Sequence, residues 1–572
     1  MARHMIETDV LVVGHGISGL SAAISAKEDA PELNVLTVDK SFLGYGGKAN
    51  KGGGHVSFIP DGFSEQYVEY HTRNLGDYLN DQDMLRKYAE NTRKVIDRWE
   101  SWGVNFVAKE KPFDAHPVIP WKVMLVDGDT MIQMGKYAKK IGVQSMEKIT
   151  ITELLTDNGK VVGAFGMSLL TGESYVFKAK AVILANGNQD FSIMRMWASA
   201  KGDGIAAAYR AGAKIRNAEF GSFFNIMQID NYQVTYGSED CLTNADGENP
   251  STRGDLDESL RTVVGGVDLG SMDSILMYMS VRDGKGPIYE NTDENKFPGS
   301  FPGRNLMFLG QADPPFARPY SQKFWDNIWN KNKAESYKDD NPLKEVIPGV
   351  VAEQSPLYVD HHMKTSLEGL FASGDICANG SSWSGAVPTP PGRNRGSGLI
   401  HGVFTGIIAA KSATDYAKDS SFGNLSDAQI DSYENTLKAP LNIKEGIDPK
   451  EIIWEIKNLI QPVEYTGYKN EKRLQEALDY VLKQKEKLSL LKADDPHGLS
   501  AVNECKSHVL CAEMFFRASL ERKESRGWHM REDYKGRDDK NHLKWIDISY
   551  NNGEMTISTE DVPMDTYKYK PE

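Results

Sequence analysis

An apolar strand that runs straight into closely spaced glycines, "TDVLVVGHGISGLSAAISAKE", constrains this chain more than any other stretch. Gly14, Gly16 and Gly19 stand in G-x-G-x-x-G spacing and a helix of small residues follows. Each glycine answers a steric need. Gly14 permits the tight turn, Gly16 lets the backbone approach a pyrophosphate, and Gly19 lets the helix pack closely on the strand, with the helix N-terminus turned to the phosphates. A second apolar strand, "NVLTVDK", ends in Asp39 and Lys40, both candidate cofactor contacts, and Asp39 lies twenty residues beyond Gly19, where an acid accepts hydrogen bonds from ribose hydroxyls. Strand, glycine turn, helix, strand and acid in that order predict a Rossmann-like α/β nucleotide-binding unit.

The next stretch, "GYGGKANKGGGH" at residues 44–55, holds six glycines in twelve residues. A flexible linker makes little sense directly after an adenosine-binding unit. Glycines remove the side chains that would hold a backbone away from a flat ligand, so Gly46, Gly47 and Gly53 are candidate cofactor contacts. Lys48, Lys51 and His55 are candidate cationic contacts from the same stretch.

At 572 residues the chain needs two or three structural units. Hydrophobic residues at 40% and charged residues at 26% describe a globular protein with a large core. The net charge of −14 disfavours nucleic acid and anionic membrane as partners. Cys241, Cys377, Cys505 and Cys511 form no CxxC pair, which argues against an iron–sulfur cluster or structural zinc in this chain. No apolar run approaches the roughly 20 residues of a membrane span, and the N-terminus runs into the glycine turn rather than a signal peptide, so a cytoplasmic location is expected.

Five further segments lie in an informative order: "KAKAVILANGNQDF", "GDGIAAAYRAGAKIRNAEF", "LEGLFASGDICANGS", "RNRGSGLIHGVFTGIIAAKSA" and "ESRGWHMREDYKGRDDKNHLKW". Together with the glycine turn, they resemble the fumarate reductase and succinate dehydrogenase flavoprotein family, nearly end to end. The resemblance implies FAD as cofactor. It also implies an α/β fold in which a Rossmann-like FAD-binding domain (1–216 and 351–420) is interrupted by an α+β capping domain (217–350) and followed by a C-terminal helical domain with a tail (421–572). On that likeness Asn186, Gly187, Asp203, Asp375, Ser397, Gly398 and Leu399 join the cofactor-binding residues. Respiratory members attach FAD through a histidine, and Gly46 or Gly47 stands at that position, so noncovalent FAD is expected.

Dicarboxylate-handling members place histidines and arginines over the flavin, because guanidinium forks match carboxylates. Here Phe224 stands where the family's "EFVQFHPT" has its histidine, and "GVVAEQSPLYVD" replaces "HYTMGG". The segment "DLGSMDSILMYMSVRDGKGPIYENT" has no arginine between Arg261 and Arg282. Its end, "RDGKGPIYENT", resembles the α subunit of dissimilatory-type adenylylsulfate reductase. That branch takes electrons from a separate ferredoxin-like [4Fe-4S] β subunit in a hetero-oligomer and releases sulfite from a sulfonucleotide. The catalytic candidates for an anionic nucleotide or small organic anion are Arg393, Arg395, His361 and His55, with His362 as a further donor. Solvent-exposed loop arginines and surface histidines are the plainer readings of the same residues. An enoate reductase or dehydrogenase on an organic acid, and a non-catalytic flavin electron-transfer subunit, are the alternatives. The last apolar segment, "LKWIDISYNNGEMTISTEDVPM", predicts a β-hairpin for a partner subunit.

Overall fold

The computed structural model describes residues 2–50, 54–107, 109, 112–114, 121–193, 200–229, 234–235, 241–250, 270–291, 343–378, 397–527, 529–551 and 553–572. β1 (Arg3–Val13) is buried continuously from Thr8 to Val13, as a central parallel strand must be when both sheet faces are covered. It leads through the glycine turn into α1 (Ile17–Asp29) and then β2 (Val35–Asp39). The long amphipathic α2 (Gln82–Ser101) is started by Asp81, whose carboxylate accepts from Asp83 N and Met84 N. Four strands follow: β3 (Gln144–Glu147), β4 (Ile149–Asp157), β5 (Lys160–Ser168) and β6 (Ser174–Leu184).

The central sheet has the order β3-β2-β1-β6-β5-β4. β3, β2, β1 and β6 run parallel, β5 pairs antiparallel with β6, and β4 pairs antiparallel with β5. α3 (Asp203–Arg210) follows the sheet. The capping domain is built on β7 (Ser222–Gln228), α4 (Gly270–Ser280) and β8 (Leu343–Ala352). β7 and β8 pair antiparallel from Ser222 opposite Ala352 to Gln228 opposite Val346, at the centre of a five-stranded sheet. Ile226, Leu242, Met277, Ile288 and Val346 form its separate core.

The chain then returns to the central sheet. β9 (Leu370–Ala372) pairs in parallel with Val182–Leu184 of β6, while β5 takes the Ser174–Lys178 half of the same strand edge. α5 (Ser397–Asp419) crosses α1 at very close range. A Cβ on Gly402 would lie 2.8 Å from Ile17 Cγ2, and one on Gly406 would lie 2.6 Å from Ser18 O, so only glycines permit this approach. The helical domain includes α6 (Glu471–Glu486), capped by Asn470, and α7 (Pro496–Glu521), capped by Asp495 with Pro496 in its first turn. Among the described residues no helix is long and apolar enough to cross a membrane.

The expected C-terminal hairpin is formed by β10 (Lys544–Asn551) and β11 (Glu554–Asp561). Its sheet mate is this chain's own Ile215–Arg216, in a five-stranded sheet that also holds Leu357–Tyr358 and Cys377–Ala378. Arg216 fixes it there. The guanidinium donates to both Asp547 oxygens at 2.8 and 3.0 Å, and sits 4.6 Å and 4.3 Å from the ring centroids of Tyr358 and Trp545. Arg216→Ala is expected to cost about 3 kcal/mol, because it leaves the buried Asp547 carboxylate with Lys214 alone and removes the stacked cation. Urea unfolding followed by tryptophan fluorescence reads that loss.

Candidate active site

The parallel strands deliver their C-terminal ends to one place, and the glycine turn lies across them. Gly14 has φ +124°, its amide donates to Val38 O at 2.8 Å, and a Cβ there would lie 2.4 Å from Ala185 O. A Cβ on Gly19 would lie 2.0 Å from Gly14 O, so α1 touches the turn backbone to backbone. Gly16 is the N-cap of α1, offers no side-chain cap, and no acid follows in the first turn. The first-turn amides are therefore left for an external anion, which fits a pyrophosphate. Asp39 accepts from His15 N and Ser41 N, both at 2.6 Å, one on each oxygen. A carboxylate has lone pairs beyond these two, so the brace leaves capacity for ribose hydroxyls.

The glycine strip is pressed onto this turn. A Cβ on Gly46 would lie 2.5 Å from Ser41 Oγ and 3.1 Å from His15 Cβ. Gly47, at φ +75°, would place one 2.8 Å from Gly16 Cα. A histidine at either position has no room for its Cβ, a physical reason why neither position offers a covalent anchor. Lys48 then opens a 3₁₀ turn, Lys48–Asn50, and its ammonium donates to Asn188 Oδ1 at 3.0 Å.

The loop after β6 and the turn after β9 complete the cradle. Gly187 has φ +82°, and Asn186 packs so tightly under α3 that a Cβ on Gly204 would lie 2.2 Å from its Oδ1. Asp375 lies half-buried in the short turn Gly374–Ile376, beside the start of α1, where a Cβ on Gly374 would lie 2.4 Å from Ser18 Oγ. Gly374 N donates to Thr405 Oγ1 at 2.9 Å, which ties the turn to α5. Ser397, Gly398 and Leu399 form the first turn of α5. FAD fits these donors, acids and close backbone approaches.

Several other expected residues have partners within the protein. Lys40 and Asp203, expected at the cofactor, are turned to each other: the Lys40 ammonium pairs with Asp203 and, at 3.0 Å, with Glu504. Burial works against the Lys40 charge, but the two acids outweigh it and hold the ammonium above its usual range. Asp203 also accepts from Asn503 at 3.1 Å and Ser507 at 3.3 Å, so it bolts α3 to α7. His361 is taken by Asp81, Nε2 to Oδ2 at 2.6 Å, and this bond raises its pKa against the opposing effect of burial. It is thereby seated at the head of α2, with Lys87 donating to its carbonyl at 2.6 Å, and His362 is exposed beside it. His55 opens the strand His55–Phe58. Arg393, Arg395, Lys51 and Gly53 lie outside the described residues.

Sequence reasoning missed Glu353 and Asn188. Glu353 follows β8 where the chain leaves the capping domain, is buried, and brings Oε1 to 3.5 Å from the Lys48 ammonium. No local pattern marks a partner 305 residues away in sequence, counted as 353 − 48.

Comparison with known proteins agrees with the cradle. An FAD binding domain matches over residues 9–225, and the fumarate reductase flavoprotein C-terminal domain matches over residues 464–572. A fumarate reductase flavoprotein subunit of Haemophilus influenzae is 25% identical, over 96% of this chain and 92% of its own length. Among solved structures, adenylylsulfate reductase from Archaeoglobus fulgidus superposes with a TM-score of 0.77 at 23% identity, covering 98% of this chain and 96% of that one. Sdh1 of Mycobacterium smegmatis superposes at 0.80 with 21% identity, covering 99% and 96%.

Proposed function

Because this chain belongs to the fumarate reductase flavoprotein family and takes FAD as its cofactor, we propose that it is the flavin subunit of a sulfonucleotide reductase. It reduces adenylylsulfate, or its 3′-phospho form, to sulfite and the adenosine phosphate. Electrons come from a ferredoxin-like [4Fe-4S] partner subunit in a hetero-oligomer. The observation that carries the reading is the passage out of the capping domain. Where dicarboxylate members have "HYTMGG", this chain sets Glu353 and Gln354 at the seam, and Phe224 replaces the other histidine. Two of the groups with which those members hold a dicarboxylate are therefore missing from this sequence. The superpositions on Sdh1 and on adenylylsulfate reductase are equally good, so the reading rests on these residues and not on the fold.

Bound FAD supplies the two-electron chemistry. The chain's part is to seat the pyrophosphate on the α1 amides, brace the ribose acid Asp39, and hold the substrate anion. In this reading Arg393 and Arg395 supply the positive charge for that anion, with His55 as a further donor. The second reading is reduction of fumarate or another enoate, favoured by the names of the 25%-identical relatives.

Reduced viologen as electron donor separates the two. The FAD-loaded protein is expected to consume adenylylsulfate with release of sulfite, to leave fumarate unchanged, and to lose its visible oxidised-flavin band when sulfite is added. Fumarate turnover without sulfonucleotide turnover overturns the proposal in favour of the second reading. Inertness toward both substrates and toward sulfite points to an electron-transfer subunit instead.

A further inference from the structure

One ion pair closes the seam between the capping domain and the central sheet. Lys48 follows Gly47, whose backbone rests on Gly16, so its place is fixed by the phosphate turn. Its ammonium reaches Asn188 Oδ1 at 3.0 Å and Glu353 Oε1 at 3.5 Å, and the Lys48 and Glu353 side chains are 16% and 5% exposed. Glu353 is fixed from the other side. Its amide donates to Gly221 O at 2.5 Å, and the next residue, Gln354, exchanges backbone hydrogen bonds of 2.9 and 3.1 Å with Gln189. A Cβ on Gly221 would lie 2.5 Å from Gln354 Cα, so the two passages between domain and sheet run in direct contact.

Asp190 is a second acid near Lys48: burial pushes its carboxyl up against the opposing pull of Lys48 and Lys201, and its oxygens accept from the amides of Ser192 and Ala200 at 3.0 Å. Among the described residues, Glu353 is the carboxylate that forms an ion pair with Lys48. Both groups sit where three segments meet at the strand ends: the glycine strip, the loop after β6 and the exit from the capping domain.

We propose that Glu353 is a positioning residue that holds the Lys48 ammonium at this seam, cancels its charge, and so sets the reduction potential of bound FAD. The inference rests on FAD occupying the strand ends and is independent of which substrate is reduced. An uncancelled cation beside a flavin favours the more negative reduced state, and an uncancelled anion disfavours it. Removing the two partners one at a time therefore acts in opposite directions, which loss of packing alone would not do.

The test uses the full-length protein loaded with FAD, as wild type, Glu353→Gln, Lys48→Gln and the double variant. Dye-coupled reductive titration gives each midpoint potential, with flavin content and thermal unfolding recorded alongside. The expected result is a higher potential for Glu353→Gln, a lower one for Lys48→Gln, and a return toward wild type in the double variant. Shifts of the same sign, or no shift in either single variant, overturn the proposal. For a variant that does not hold FAD, the charge-conserving Glu353→Asp or Lys48→Arg takes its place. A wild-type potential there supports the proposal, and a displaced one overturns it.

Discussion

Gly14→Ala is expected to yield protein that purifies without flavin and binds added FAD at least about 100-fold more weakly, a loss of about 3 kcal/mol. Two independent obstacles meet at this residue. The backbone sits at φ +124°, which an L side chain rarely adopts, and the new methyl would lie 2.4 Å from Ala185 O. Relief requires the turn to move away from β6, and the α1 amides that receive the pyrophosphate move with it. Flavin absorbance per protein after purification, followed by titration of the apoprotein with FAD, measures the effect. An alanine variant that keeps a full complement of FAD removes the turn from the binding site.

The second large effect is expected in the helical domain. Glu524 is fully buried and accepts from Arg522 at 3.0 Å, from Arg526 at 2.7 and 2.8 Å, and from Asp538 N at 2.9 Å. Glu524→Gln keeps the shape but strips the anion from between two buried guanidinium groups, at a cost of about 3 kcal/mol or more. Burial alone would raise the Glu524 pKa; the Arg526 hydrogen bond and charge, with Arg522, outweigh it and hold the carboxyl below the usual range. Its folded pKa is thus depressed. The stability it contributes is fully present above the ordinary glutamate pKa of about 4.3 and is lost as the pH falls through the lower folded value. Glu219, on the far side of Arg522, has the opposite sign because burial pushes it up, so the wild-type slope in acid is partly cancelled. Urea midpoints near neutrality and below the ordinary glutamate pKa should show a large loss for Glu524→Gln at neutrality and a smaller gap to wild type in the acid. Equal midpoints at neutrality would show that this carboxylate is not needed.

The nucleotide-binding half was legible because its signals are local. Gly14, Gly16, Gly19 and Asp39 lie within 26 residues, counted inclusively from 14 to 39, and each is dictated by the geometry of one strand–turn–helix–strand unit. Gly46 and Gly47 were legible as close backbone approach, although not as approach to His15 and Gly16 in particular. What the sequence withheld was pairing across the chain. Lys40 stands beside the ribose acid and so reads as a cofactor contact, yet its ammonium answers Asp203 and Glu504, from elements that only tertiary packing brings near. His361 reads as a donor until Asp81 is seen opposite it. Glu353 carries no motif at all, and its meaning comes from Lys48. Charge identity is local information, while charge partnership is a property of the fold.

The division of one β6 edge between β5 and β9, and the late completion of the Ile215–Arg216 sheet by β10, also bear on how the chain is made. At synthesis rates of about 5–20 residues per second, residue 544 leaves the ribosome roughly half a minute to two minutes after β1. The C-terminal half of the β6 edge waits for residues 370–372, and the edge of Ile215–Arg216 that takes β10 waits for the whole of that interval. The nascent chain must therefore be shielded from edge-to-edge association while it waits, and FAD cannot find its complete cradle until α5 and β9 have been translated.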